Sequence, residues 1–213
     1  MKKNIIVLFL LFCTNLISAQ TNEYYNWVEL DIEKKIIKKV KLSFTTENRF
    51  YEFSSFDEYY FQIGLTYKPF DFCSFGGYYR YSAEKNKYEE FETENRLVFD
   101  TKLMAKVNRW KPTFRIRFIN YLENNELIED KTSYLRYKPA IKFDIPNSKF
   151  APFVSAEIFH HLTDNQINKV RYSAGLDYNF SKNIGCGAAW IYQDNLLKDT
   201  NFNILSLQFS FSF

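Results

Sequence analysis

Several short stretches of this 213-residue chain carry charge at every second position. Glu47 pairs in spacing with Arg49, Glu92 with Glu94 and Arg96, Arg115 with Arg117, Arg136 with Lys138, and Lys169 with Arg171; Glu157 stands in a similar stretch. Two residues apart on an extended chain means the same side of the chain. A face built this way supports two kinds of chemistry. It can bind or select a solute, a ladder of guanidinium groups favouring anions. Alternatively, its two signs can pair with one another and fill a narrow interior, as side chains do in small barrels. Both readings stay open. Glu90, Glu92 and Glu94 also share one face and offer oxygens to a hard cation such as calcium. Arg96 follows on that face, which favours an arginine-paired stripe.

His160 and His161 are the only histidines. His161 shares strand parity with Ser155 and Glu157, which invites a Ser–His–Glu hydrolase reading. Within one strand these groups cannot form a triad. Four residues span roughly 13 Å at the strand rise, far beyond hydrogen-bond reach. A partner would have to come from a neighbouring strand. The chain has no phosphate-cradling glycine loop, no zinc-like Cys/His spacing and no nucleophile elbow. No metal or cofactor is therefore expected. Trp27, Trp110 and Trp190, with many tyrosines, suit aromatic girdles at a membrane interface.

The elements that must position these residues are strands. Val40, Leu42, Phe44 and Phe50 interleave with Lys41, Ser43, Thr45, Glu47 and Arg49. Tyr59, Phe61, Ile63, Leu65 and Tyr67 interleave with Tyr60, Gln62, Gly64 and Thr66. The same period of two runs through Phe91–Leu103, Phe114–Phe118, Leu135–Ile145 and Val170–Tyr178. It predicts strands, with no helical period after the N-terminal segment. Tight connections ("KPFD" from Lys68, "IPNSK" from Ile145, "FSKN" from Phe180) alternate with longer polar ones (Ser82–Glu90, Glu123–Lys131, Leu162–Asn168, Asp194–Asn201). Outer-membrane barrels combine short periplasmic turns with longer outside loops. About eleven candidates of roughly nine to fifteen residues are found, each long enough to cross a bilayer. Single-chain bacterial barrels use even numbers. The first candidate, Trp27–Ile32, is thus expected either to stay out of the wall or to have a missed companion, with "EKKIIKK" (Glu33–Lys39) as a turn.

The N-terminus carries Lys2 and Lys3, then the apolar run Ile5–Phe12, then small residues ending at Ala19. This pattern predicts a secretory signal peptide over 1–19 and a mature barrel domain over 20–213. The formal charge of +3 falls to 3 − 2 = +1 when Lys2 and Lys3 are removed. A mixed, nearly neutral chain gives no case for nucleic-acid binding. Cys73 and Cys186 remain after the signal, as one possible pair or as two small wall residues. Aromatic residues make up 20% of the chain, yet its mean hydropathy is −0.37. A transmembrane barrel combines these properties by hiding its lipid face in alternation. A soluble sandwich would leave large apolar patches in water.

The last strand is the clearest case. Leu205, Leu207, Phe209, Phe211 and Phe213 alternate with Ser206, Gln208, Ser210 and Ser212. Lipid leaves no backbone group unpaired, so a spanning sheet must close on itself. This segment resembles the C-terminal signature of outer-membrane barrels, whose terminal aromatic is recognised by the barrel assembly machinery. The stretches "WVELDIEKK" (Trp27), "ENRF" (Glu47), "ENRL" (Glu94), "RIRF" (Arg115), "SYLRYKPAIKFDI" (Ser133), "SAEIF" (Ser155) and "VRYSAGLDYNFSK" (Val170) resemble a family of outer-membrane barrels known as domain of unknown function 2490. The resemblance implies an outer-membrane barrel and brings no activity or catalytic residues with it. The expected fold is all-β, a single antiparallel transmembrane β-barrel of about 10–12 strands. The expected surroundings are outer-membrane lipid in a Gram-negative bacterium. The expected role is a structural barrel or a narrow passive channel for small solutes, selected by lumen charge. The alternative is a lipid or peptide hydrolase using His161, Glu157 and Ser155.

Overall fold

The computed structural model describes residues 21–52, 54–86, 88–122, 133–197 and 200–213. The expected signal peptide and the loop Glu123–Lys131 lie outside these residues. Eleven strands follow in chain order: β1 Thr21–Ile37, β2 Val40–Tyr51, β3 Ser55–Phe70, β4 Cys73–Lys85, β5 Phe91–Met104, β6 Trp110–Tyr121, β7 Tyr134–Phe143, β8 Phe150–His161, β9 Gln166–Asn179, β10 Ile184–Asn195 and β11 Thr200–Ser212. Each pairs antiparallel with the next, and β11 pairs with β1 to close the barrel. The period of two and the expected strand number thus describe this fold.

The closing seam differs from expectation. β1 lies in the wall, and no twelfth strand accompanies it among the described residues. It runs on to Ile37, so "EKKIIKK" is mostly strand, and the turn is confined to Lys38 and Lys39. With an odd number of strands, the first and last run in the same direction, and the β1–β11 ladder is parallel. A parallel ladder satisfies backbone groups as an antiparallel one does, at slightly lower stability per residue. Side-chain faces match across it: Trp27, Glu29 and Asp31 stand opposite Ser206, Gln208 and Ser210. The seam ends with Lys35 donating its backbone N–H to Phe213 (3.0 Å) and Phe213 donating to Glu33 (2.9 Å).

One end of the barrel carries the connections at 38–39, 71–72, 105–109, 144–149 and 180–183. The other carries the strand ends Tyr51 and Ser55, Lys85 and Phe91, Tyr121 and Tyr134, His161 and Gln166, and Asn195 and Thr200. The contrast in length is smaller than the polar stretches suggested. The strands extend into those stretches, because ladder pairing satisfies backbone groups whatever the side chain. Asn108, Asn147 and Asn165 turn the chain at φ 55°, 56° and 50°, a region that asparagine tolerates. Just past β7, Lys111 donates to Asp144 at 2.9 Å, and this bond holds the Asp144 carboxyl below its ordinary range.

The two faces invert the usual order of a water-soluble protein. Phe61, Ile63 and Leu65 of β3, Phe99 and Leu103 of β5, and Leu205, Leu207 and Phe209 of β11 point outward and are exposed. Glu47, Glu58, Gln62, Arg80, Glu157 and Gln193 point inward and are buried. Outward aromatics meet across strands, as in Phe44–Phe61 and Phe99–Phe118. Cys73 and Cys186 are both free thiols.

Gly64 marks a close backbone approach in the wall. A Cβ there would stand 2.3 Å from the carbonyl oxygen of Gly77 and 2.7 Å from Cα of Tyr78. Neither backbone atom can yield without moving β4. We expect Gly64→Ala to cost about 1–3 kcal/mol of stability, measured by urea unfolding of the refolded protein.

Candidate functional site

The register carries the charged residues into rows across β5 to β9. One row places Lys102 opposite Arg115, and Arg115 opposite Lys138; farther round, Glu157 stands opposite Arg171. The next row runs Asp100, Arg117, Arg136, Phe159 and Lys169. Their side chains face one lumen because neighbouring strands share the alternation of the pleat.

Ion pairs hold part of this network. Glu157, 4% exposed, accepts from Arg136 Nε (3.1 Å) and Nη2 (2.8 Å) and from Arg115 Nη2 (2.7 Å). Arg117 binds Asp100 through both arms of its fork, at 2.6 and 2.7 Å. Arg49 donates to Glu47 (2.6 Å) and to Glu58, and Arg96 donates to Glu94 (2.9 Å). Other cations meet neutral partners. Arg80 binds Gln62 at 2.8 and 3.1 Å, and Arg171 binds Gln193 at 2.6 Å.

Aromatic rings fill the remaining space. Trp27 is 8% exposed and lies in the lumen, with Arg49 4.3 Å and Arg171 4.8 Å from its ring centroid. Arg80 sits 3.9 Å over Tyr60. Arg136, Arg171 and Lys169 approach Phe159 at 4.3, 4.6 and 5.4 Å. Cation–π contacts gain strength where water is excluded. The girdle expectation therefore fails for Trp27, whose β1 parity groups it with Glu29 and Asp31. Trp110 and Trp190 do lie outside and are exposed.

Among the described residues, cavities follow one another along the lumen. One of about 1050 Å³ lies at the short-turn end, one of about 260 Å³ in the middle, and one of about 240 Å³ toward the opposite end. Arg115 lines both the turn-end and the central cavity. Trp27, Arg49, Arg80, Arg136 and Arg171 line both the central and the far cavity. These side chains therefore stand between the cavities.

Of the residues singled out in the sequence, Arg49, Glu47, Arg115, Arg117, Arg136, Lys138, Arg171 and Glu157 converge on the central cavity. Arg96 pairs with Glu94 nearer the far end. Glu92 is exposed and accepts from Asn86 at 3.1 Å, apart from the network. Parity had placed Tyr60 on the polar face of its strand; the inner-face partners Glu29, Glu58, Arg80 and Phe159 went unrecognised, although β-strand parity was the signal that would have found them.

Ser155, Glu157 and His161 all face inward on β8 but are not brought together. Glu157 is occupied by two arginines. His161 lies near the strand end, 2.8 Å from Asp164 and edge-on to Tyr134. Ser155 stands opposite Ser173, and its hydroxyl has no hydrogen-bond partner among the described residues. His160 faces outward and meets Asn165 at 2.9 Å.

On β11, Leu205, Leu207 and Phe209 are exposed on the outer face, as is the terminal Phe213; Phe211 continues the outward set. Gln208, facing inward, donates to Glu29 across the seam at 2.6 Å.

A comparison with curated proteins finds no match. A family model described as "Protein of unknown function (DUF2490)" matches residues 25–203, from within β1 to within β11. With the match spanning nearly the whole barrel, the chain belongs to the DUF2490 family.

Proposed function

We propose that this protein is an outer-membrane barrel of a Gram-negative bacterium that serves as a narrow, charge-lined passage for small solutes. The observation that carries this reading is the succession of lumen cavities that share the side chains standing between them. The outward apolar face matches what lipid requires, and a closed ladder leaves no backbone edge in the bilayer. The expected signal peptide over 1–19 and the alternation ending at Phe213 support export followed by recognition by the assembly machinery. In this orientation the short turns face the periplasm. Arginine outnumbers carboxylate at the separating side chains, so the passage prefers anions.

The test is single-channel recording of the refolded protein in a planar bilayer under salt gradients of both polarities. We expect small steady steps and a reversal potential on the anion side, moved toward zero by Arg115→Gln. A silent bilayer containing demonstrably inserted protein would defeat the passage and leave a closed structural barrel.

A further inference from the structure

We propose that the central cavity is a binding site for a small oxyanion of the phosphate class. The proposal rests on the lumen reading above and deepens it, by naming what the passage holds. Like charges set directly opposite on neighbouring strands destabilise a sheet. The barrel nevertheless contains Arg115 against Lys138, Arg117 against Arg136, and Arg80 against Arg96. The lining of the central cavity sets seven cations (Arg49, Arg80, Arg115, Arg117, Arg136, Lys138, Arg171) against four carboxylates, Glu29, Glu47, Glu157 and Asp177. A network built only to pair with itself would not leave this surplus.

The unused donors point the same way. Arg115 donates through Nη2 to Glu157, while its buried Nε has no partner among the described residues. Lys138 lines the same cavity and makes no ion pair among the described residues. The arginine fork matches the oxygens of a phosphate or sulfate in direction as well as charge. The cavity of about 260 Å³ has room for such an anion and a few waters, each water taking about 30 Å³. A drug-sized ligand needs a pocket of about 300–1,000 Å³. Because the site faces the lumen, headgroups of surrounding lipid cannot reach it through the wall. A free anion enters along the axis. At the turn end, Lys35, Lys38, Lys39, Lys41, Lys68 and Lys102 line the wide cavity against Glu33, Asp71 and Asp100. That mouth raises the local concentration of anions.

The experiment is calorimetric titration of sodium phosphate into the full-length protein refolded in detergent, in a low-salt buffer without other oxyanions. Barrel closure is checked by heat-dependent gel mobility. We expect one saturable site, weakened about tenfold in Lys138→Met through loss of a charge-assisted contact. Binding should be unchanged in Lys149→Gln, at an exposed turn residue. Lys138 can be replaced without stranding a carboxylate, so this variant should fold. Absence of saturable binding by the closed wild-type barrel would overturn the proposal, as would equal affinity in Lys138→Met. Because binding in detergent needs no conductance, the two readings fail separately. Saturable binding with a silent bilayer defeats the passage and leaves the site. Conductance steps without phosphate binding defeat the site and leave the passage.

Discussion

Glu157→Ala is expected to lower the unfolding free energy by about 3–5 kcal/mol, the range for removing one partner of a buried ion pair. Glu157 is the acceptor for two guanidinium groups and stands among Arg115, Lys138, Arg136 and Arg171. Its loss takes from Arg115 the side-chain hydrogen bond to Glu157 and brings four cations into mutual repulsion. Arg136 keeps the Phe159 ring but loses both of its carboxylate contacts. Urea unfolding of the refolded barrel, followed by tryptophan fluorescence and gel mobility, measures the effect. Glu157→Gln keeps acceptor oxygen without charge and should cost less. Adding Arg115→Met to Glu157→Ala should recover part of the loss, because the stranded charge is then gone. A single variant as stable as wild type would show that lumen water screens these charges and that the network contributes little.

Trp27→Ala is expected to open the lumen and to cost about 3 kcal/mol of stability, at the low end for a buried tryptophan because water can enter the space left. The indole lies between Arg49 and Arg171 and forms part of the partition between the central and far cavities. Its Nε1 has no hydrogen-bond partner among the described residues, so the ring acts through its faces and its bulk. Removing it joins two cavities and takes a ring face from two guanidinium groups, which keep their contacts with Glu47, Glu58 and Gln193. In the bilayer recording, we expect larger single-channel steps with the anion preference kept. Trp27→Phe, which retains a ring, should stay near the wild-type conductance. Unchanged steps in Trp27→Ala would place the constriction elsewhere, with Arg115 at the other partition as the next position to vary.

Surface pairs weaken within a Debye length as salt rises, whereas enclosed pairs are screened much less. The salt dependence of Glu157→Ala stability therefore reports how wet the lumen is.

Much of this barrel was legible in the chain because a strand has a period of two and each side chain faces one of two sides. That alone separated Glu47 and Arg49 from Phe44 and Phe50, and Ser206 and Gln208 from Leu205 and Leu207. It also argued for closure, since so many outward aromatics require a sheet with polar groups turned inward. Parity on β1 would have placed Trp27 beside Glu29, but a lone tryptophan near a chain terminus resembles a girdle residue until the strand's register is known. What lay beyond reach was everything set by pairing between strands distant in sequence. The parallel β1–β11 seam joins Trp27 to Ser206, and no local pattern states that an odd strand count closes this way. The convergence of Arg115, Arg136 and Glu157 spans β6, β7 and β8 and depends on two ladder registers. A shift of one residue in either register would turn these charges to the outer face. Local chemistry specified which side each residue takes. Only closure of the ladder decided which residues meet across the lumen, because hydrogen-bond register, not side-chain type, sets their relative height.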